Sequence, residues 1–534
     1  MTPTSSEAPG RLRQIGVNFG QHLPALLFAV ALIPFATVRA QDRLVVGLLA
    51  GALGLVTLLR RDVGLSGLAR VAGALAVAAW LGSALAFLPV GAGARALLQP
   101  GLAPALEQAL QVANRDVRPL ALDPWRGLVE WAWAGEMLLL ALGVAAGVQT
   151  VARARTLAIG LVGAGVGVVI TAVIHRGTDA TSIWWVTGVP AFARDPIFAP
   201  FVSPNHGGAC AAALVPLAAV LAWEATGVRR ALALGAALIL AGGVAISGGR
   251  AAAIELCAGL WMLGMLAGSE RLRGTLGSVA VGAGASLLLL GPQRIALWVT
   301  QQITPELYES IKAGYGDVLT GRGDLLRDAV ALIQAAPWVG VGPGGYDNGY
   351  RMVKSTPDFT LSAHAHQELL QLAAEHGVPV ALLWVGAWGL RGALGVRAAW
   401  ARRDSALLAG FLALLGNLAL DSQVDFPVRI GALSVLGATA VGAVLGLSGG
   451  LRDGAGAWRR VVGSVAGLAG GVAVLAGLLW TDPRPTWVWG PSDAAETRGD
   501  DALAVAQDAI VQDLGAEARD DALEAADKAW RVAV

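Results

Sequence analysis

The chain has 534 residues, of which 55% are hydrophobic and 14% charged, with a mean hydropathy of +0.61. Soluble domains carry about 25% charged residues, so this balance excludes an ordinary soluble protein and points to one embedded in lipid. The formal net charge is +1, and the arginines are spread between apolar stretches rather than gathered on one face, so no nucleic-acid partner is indicated.

The start, MTPTSSEAPGRLRQ, is polar, and the first apolar stretch lacks a small-residue cleavage site, so it reads as an uncleaved first span. Spans are predicted near 22–38, 44–59, 67–89, 128–148, 155–174, 207–224, 231–246, 251–268, 275–291, 378–396, 405–420, 429–447 and 461–480. Each approaches the roughly 20 apolar residues that cross a bilayer as a helix, and no alternating ten-residue pattern suggests a barrel. The fold class is therefore an all-α polytopic membrane protein of about 12–13 transmembrane helices. Arg11 and Arg13, Arg60 and Arg61, Arg153 and Arg155, Arg229 and Arg230, Arg271 and Arg273, Arg402 and Arg403, and Arg459 and Arg460 fall on alternate connections. By the positive-inside rule these connections are cytoplasmic, and the remaining loops face the periplasm of a Gram-negative cell. Cys210 and Cys257 lie within predicted spans and read as small apolar residues rather than a disulfide.

Three segments share the far side. The first, about 89–127, contains GLAPALEQALQVANRDV, whose apolar spacing suggests a short helix on the membrane surface. The second, 175–206, carries Trp184 and Trp185, read as interfacial anchors, although indole faces also stack on sugars. The third is a polar island at 292–377 with all four tyrosines, Lys312 and Lys354, and His364, His366 and His376. The domain reading is a membrane domain at 1–480, this loop at 292–377, and a tail at 481–534 whose ALAVAQDAIVQDL and ALEAADKAWRVAV form a helical hairpin.

Within the island, TGRGDLLRDAVALIQAAPW has the apolar stripe of an amphipathic helix stopped by Pro337. VGVGPGG follows as a glycine-rich turn that lacks the lysine and hydroxyl residue of a P-loop. A second short helix is predicted in SAHAHQELLQLAAEHG. His364 and His366 lack an evident third ligand for a metal, so no metal site is assigned. An imidazole can take a proton from a sugar hydroxyl, or it can do no more than hydrogen-bond at the membrane surface. Arg250, Arg322, Arg327 and Arg351 offer permanently charged forks for a pyrophosphate, with snorkelling to the interface as the alternative for Arg250. Asp421, Asp425 and Arg429 flank another far-side turn, where they pair with one another or position an acceptor. Glu130 and Glu136 fall inside a span, where a carboxylate is costly and a functional candidate by default.

Four motifs in order resemble the O-antigen ligase and O-antigen polymerase superfamily of membrane glycosyltransferases. They are FVSPNHGGACAAALVPLA, ISGGRAAAIEL, TGRGDLLRDAVALIQAAPWVGVGPGGY and AHAHQELLQLAAEHGVP, with DFPVRIGALSVLGA resembling a late Asp-Phe segment, over about 195–447. The resemblance implies a GT-C-like fold in the bacterial inner membrane, with the large loop and active site facing the periplasm. It implies inverting, metal- and cofactor-independent transfer of a glycan from an undecaprenyl-pyrophosphate-linked donor to a lipid A core or a growing polysaccharide, with possible envelope glycan assembly partners. On the motif positions, His366 becomes the general base with His364 as second choice, and Arg250 and Arg322 hold pyrophosphate. Arg327, Arg351, Asn205, Gln367 and Asp425 complete the expected substrate contacts; Gln367 and the SGGR turn depart from the family's Asn and Ser-Arg-Gly. A transporter of an envelope component is the alternative, against which stand the lack of duplicated halves and the placing of polar residues outside the membrane.

Overall fold

The computed structural model describes residues 22–60, 63–65, 67–106, 118–180, 182–185, 187–188, 198–267, 323–355, 363–401, 406–449 and 451–453, together with 467, 470 and 471. By internal contacts the chain divides into units at Met1–Ala473 and Val474–Val534, and every described residue lies in the first. The helical tail expected at 481–534 and the spans expected at 275–291 and 461–480 lie outside the described residues or almost wholly so.

The membrane helices are α1 (His22–Leu32), α2 (Ala40–Arg60), α3 (Gly67–Ser83), α5 (Pro124–Gly147), α6 (Val151–Gly177), α7 (Pro204–Glu224), α8 (Gly227–Ser247), α9 (Arg250–Ala267), α13 (Val378–Ala401), α14 (Ala406–Asp421) and α15 (Gly431–Leu447). Between them lie four short helices: α4 (Ala92–Leu98), α10 (323–335), α11 (Tyr346–Val353) and α12 (Glu368–His376). Among the described residues, seven helices are long and apolar enough to cross a bilayer and four are shorter apolar helices. This is an all-α polytopic membrane protein. Among the described residues the only ladders are two or three residues long: Val63–Leu65 with Leu451–Asp453, Pro89–Val90 with Arg118–Pro119, and Ser182–Ile183 with Thr187–Gly188. Cys210 is buried, Cys257 exposed, and both are free thiols.

Helix starts follow local chemistry. Asp123, Thr150 and Ser203 each accept a backbone N–H from the first turn of α5, α6 and α7, and Pro124 and Pro204 occupy positions where a missing N–H costs nothing. In lipid, close packing replaces the hydrophobic drive between helices, and small residues allow it. Gly47, Gly51 and Gly54 of α2 face Glu136 and Leu139 of α5, and a methyl at Gly143 would strike the backbone of Gly54. α3 is tied to α5 by Trp80 and Trp131, stacked at 4.2 Å, each indole N–H donating to the other's carbonyl at 2.8 Å. α7 is the most enclosed span, 89% of its apolar window being buried, whereas α8 is 22% buried and lies at the rim.

Candidate active site

The site forms at one end of the bundle, where the segment entering α12 lands on the turn between α14 and α15. Gln367 caps α12 by accepting the Leu370 N–H at 2.6 Å, while its amide nitrogen donates to Gln423 at 3.1 Å. The Glu368 N–H donates to the Ser422 carbonyl at 2.9 Å. These bonds deliver His364 and His366 onto Asp425 and Phe426, where the start of α7 brings His206.

Phe426 is the hub. His364 stacks on its ring at 4.1 Å, and His206 and His366 meet it nearly perpendicular at 4.9 and 5.0 Å. The Asp425 carboxylate lies between the latter two, with Oδ1 3.3 Å from His366 Nδ1 and Oδ2 3.6 Å from His206 Nε2. His366 sits at φ +51°, a left-handed conformation that costs a side-chain-bearing residue on the order of 1 kcal/mol and recurs at functional sites. Its side chain is 31% exposed against 7% for Asp425, so the imidazole backs onto a buried carboxylate, near it but without a formed hydrogen bond at Nδ1, and is open in front. Its Nε2 makes no hydrogen bond among the described residues.

His364 is locked differently. The Ala365 N–H can only donate, and it donates to Gln371 Oε1 at 3.1 Å, which turns the amide nitrogen of Gln371 toward His364 Nδ1 at 3.0 Å. His364 Nδ1 therefore accepts, and the ring proton lies on Nε2. Gln371 also donates to Glu375 at 3.0 Å, and Glu375 takes Arg429 Nη1 at 2.6 Å while Glu368 takes Arg429 Nε at 3.3 Å. Arg43 of α2 pairs with Glu130 of α5 and donates to the Arg429 carbonyl. One polar network thus joins α2, α5, α12 and the turn before α15, and it gives Glu130 a partner.

Electrostatics sort these groups. Burial, reinforced by the charges of Arg429, Arg126 and Arg43, holds His364 well below the usual imidazole range. Burial works against the Asp425 anion, but His206 and His366 more than offset it and hold its carboxyl low. Burial opposes Glu375 as well, where Arg429 prevails and keeps it ionised; Glu368, less well served, is pushed upward by burial. Burial also lowers His376 to about 4.

The expected residues separate into groups. His364, His366 and Asp425 come together. Gln367 is occupied as a helix cap. Asn205, exposed at the start of α7, approaches Gly249 in the Ser247–Arg250 turn, and Arg250 opens α9. That turn is tied by a Gly249 N–H to Ser247 Oγ bond of 3.1 Å, after Gly248 at φ +66°. Arg327 is exposed and pairs with Asp324 at 2.7 Å; Arg351 pairs with Asp347 at 3.3 Å. Arg322 lies outside the described residues. The sequence reading passed over His206, Arg43, Gln371, Glu375 and the half-buried Arg126, whose guanidinium makes no ion pair among the described residues. Arg43 and Glu375, each in or beside an apolar run, were the available signal. Glu136 is buried and has no counter-ion among the described residues, lining a cavity of about 170 Å³ with Leu48, Gly51, Leu55 and Leu139. Among the described residues no cluster of three or more His, Cys, Asp or Glu is arranged to hold a metal.

Residues 208–385 match the family model described as O-antigen ligase. No curated protein matches the chain. The matched segment runs from the second turn of α7 through His364 and His366 into α13, and leaves His206 and Asp425 outside it.

Proposed function

We propose that this membrane protein, whose residues 208–385 match the O-antigen ligase family model, transfers a glycan from an undecaprenyl-pyrophosphate donor to an acceptor hydroxyl at the periplasmic face of the inner membrane. The acceptor is lipid A core for a ligase or a carrier-linked polysaccharide for a polymerase. His366 is the general base. The observation that carries this role is the contrast at its two nitrogens: Nδ1 faces buried Asp425, which fixes the proton there and stabilises the imidazolium to come, and Nε2 is left open to take a proton. His364 cannot share the task, because its Nδ1 is held by Gln371 and its Nε2 already bears the proton. Its place against Phe426 suits positioning.

In the proposed step the acceptor oxygen attacks the anomeric carbon with inversion. The bond from that carbon to the pyrophosphate oxygen breaks, its electron pair leaves with the pyrophosphate, and the acceptor proton passes to His366 Nε2. Arginine forks balance the departing charge. Arg250 and Arg322 fill the family's arginine positions, and Arg126 adds an uncompensated guanidinium close enough to act on His364. Arg327 and Arg351, each tied to an aspartate on its own helix, are left for the sugar or for closing the loop.

The test is a deletion strain complemented with wild type, His366→Ala or Arg322→Ala, with envelope glycans run on a gel and protein quantified by blot. Normal protein with a lost ladder supports the transferase, and the accumulating species names the subclass: carrier-linked polymer for a ligase, single repeat units for a polymerase. A wild-type ladder from both variants overturns it.

A further inference from the structure

Asp425 has two oxygens, and each faces a different imidazole. We infer that His206 is a positioning residue of this site: it holds Oδ2 of Asp425 so that Oδ1 is presented to His366 Nδ1. His206 is carried by the first turn of α7 and is buried, with its side chain 9% exposed. Its Nε2 is enclosed without a hydrogen-bond partner, and Asp425 Oδ2 lies 3.6 Å from it. An N–H buried without a partner is costly, so this nitrogen has one economical use, which is to donate to that carboxylate. Long contacts of this kind tighten when a site fills and charge develops.

The packing supports a paired role. His206 and His366 meet Phe426 at nearly equal distances and nearly equal angles, 4.9 Å with 70° and 5.0 Å with 69°. The ring therefore keeps the two imidazoles apart while Asp425 joins them. A carboxylate held at one oxygen alone could rotate about its last torsion, which has a broad minimum; held at both, it keeps one oxygen aimed at His366. The other charged groups around His206 are Asp421 at the end of α14 and, beside Asp421, Glu255 of α9. Asp425 Oδ1 also accepts the Phe426 N–H at 3.0 Å, so without His206 the carboxylate keeps its contacts at Oδ1 and loses the imidazole that faces Oδ2.

The inference rests on the reading of His366 as base, but its test reads the ring rather than the reaction. The chain has six histidines, few enough for ring nitrogen signals of a ¹⁵N-histidine-labelled full-length protein in lipid nanodiscs to be assigned by single substitutions. In the wild type His366 is expected in the Nδ1–H form. His206→Phe, which keeps a ring against Phe426 and removes the donor, should shift His366 substantially toward the Nε2–H form, in the direction Asp425→Asn produces. His206→Gln restores a donor and should return most of the Nδ1–H signal. In complemented cells His206→Phe should lower glycan transfer about tenfold or more per folded molecule, and His206→Gln by only about threefold. An unchanged His366 signal in His206→Phe overturns the inference, as does loss of the Nδ1–H form in His206→Gln should the Phe variant fail to fold. Failure of the transferase reading appears separately, as an intact ladder in His366→Ala.

Discussion

Two histidines, one in the last turn of a span and one in the segment entering the short helix α12, both lie against aromatic rings and have different prospects. His175, in the last turn of α6, is stacked on Trp185 at 4.0 Å and buried; His366 rests against Phe426 and is partly open. At His175 both nitrogens are used: Nδ1 donates to the Thr171 carbonyl at 3.0 Å and Nε2 accepts the Trp184 N–H at 3.0 Å. At His366 one nitrogen faces a carboxylate and the other has no partner among the described residues. Aromatic neighbours do not separate a structural imidazole from a chemical one, and neither does a polar loop. The separation lies in whether a nitrogen remains to be used, and whether a charge stands behind it.

That contrast can be broken at its strongest point by Asp425→Asn. An amide donates to Nδ1 and reverses the tautomer that His366 needs, so transfer should fall by about 10²- to 10⁴-fold with little loss of protein. Glycan yield per molecule of blotted protein is the readout, and a loss under tenfold would separate Asp425 from the chemistry. Arg429→Met should act through stability instead. It strands Glu368 and Glu375 in a buried site at a cost of about 3–5 kcal/mol, visible as a large drop in melting temperature in nanodiscs.

Acid sharpens the comparison. His376, held neutral by burial with a value near 4 against 6.5 for a free imidazole, binds fewer protons folded than unfolded between those values. Stability should therefore fall as pH drops from about 6.5 toward 4, by on the order of 2–3 kcal/mol. Asp425 and Glu375, both depressed, act with the same sign further down, below the ordinary carboxylate range. Thermal melts across this window should slope, and His376→Gln should flatten the upper part. The smallest effect belongs to His175→Leu, which should cost about 1–3 kcal/mol of stability for two lost hydrogen bonds while leaving transfer per folded molecule within a few-fold.

Much of this was legible in the chain. Apolar runs gave the spans because lipid permits little else, and Val339–Gly345 announced its turn through glycines that the structure places at φ +66° and +88° for Gly340 and Gly342. His366 and Asp425 stood in separate motifs, and no local pattern joins residues with two whole membrane helices, α13 and α14, between them. His206 was hidden more thoroughly: beside Ser203, Pro204 and Asn205 it reads as part of a helix start. At Gln367 the motif position pointed to substrate contact and gave no sign of the capping bond that the side chain makes to Leu370. Glu130 stood out as a carboxylate within a predicted span, whereas Arg43, at the edge of another, drew no notice, and only the packing of α2 on α5 shows that each answers the other.

The measurement that tests the account most directly sets His366→Ala beside His175→Ala in one deletion strain, with the envelope-glycan ladder normalised to the amount of folded protein. The account predicts a ladder reduced at least about 100-fold for His366→Ala and retained for His175→Ala. Equal ladders, or a greater loss at His175, would contradict it.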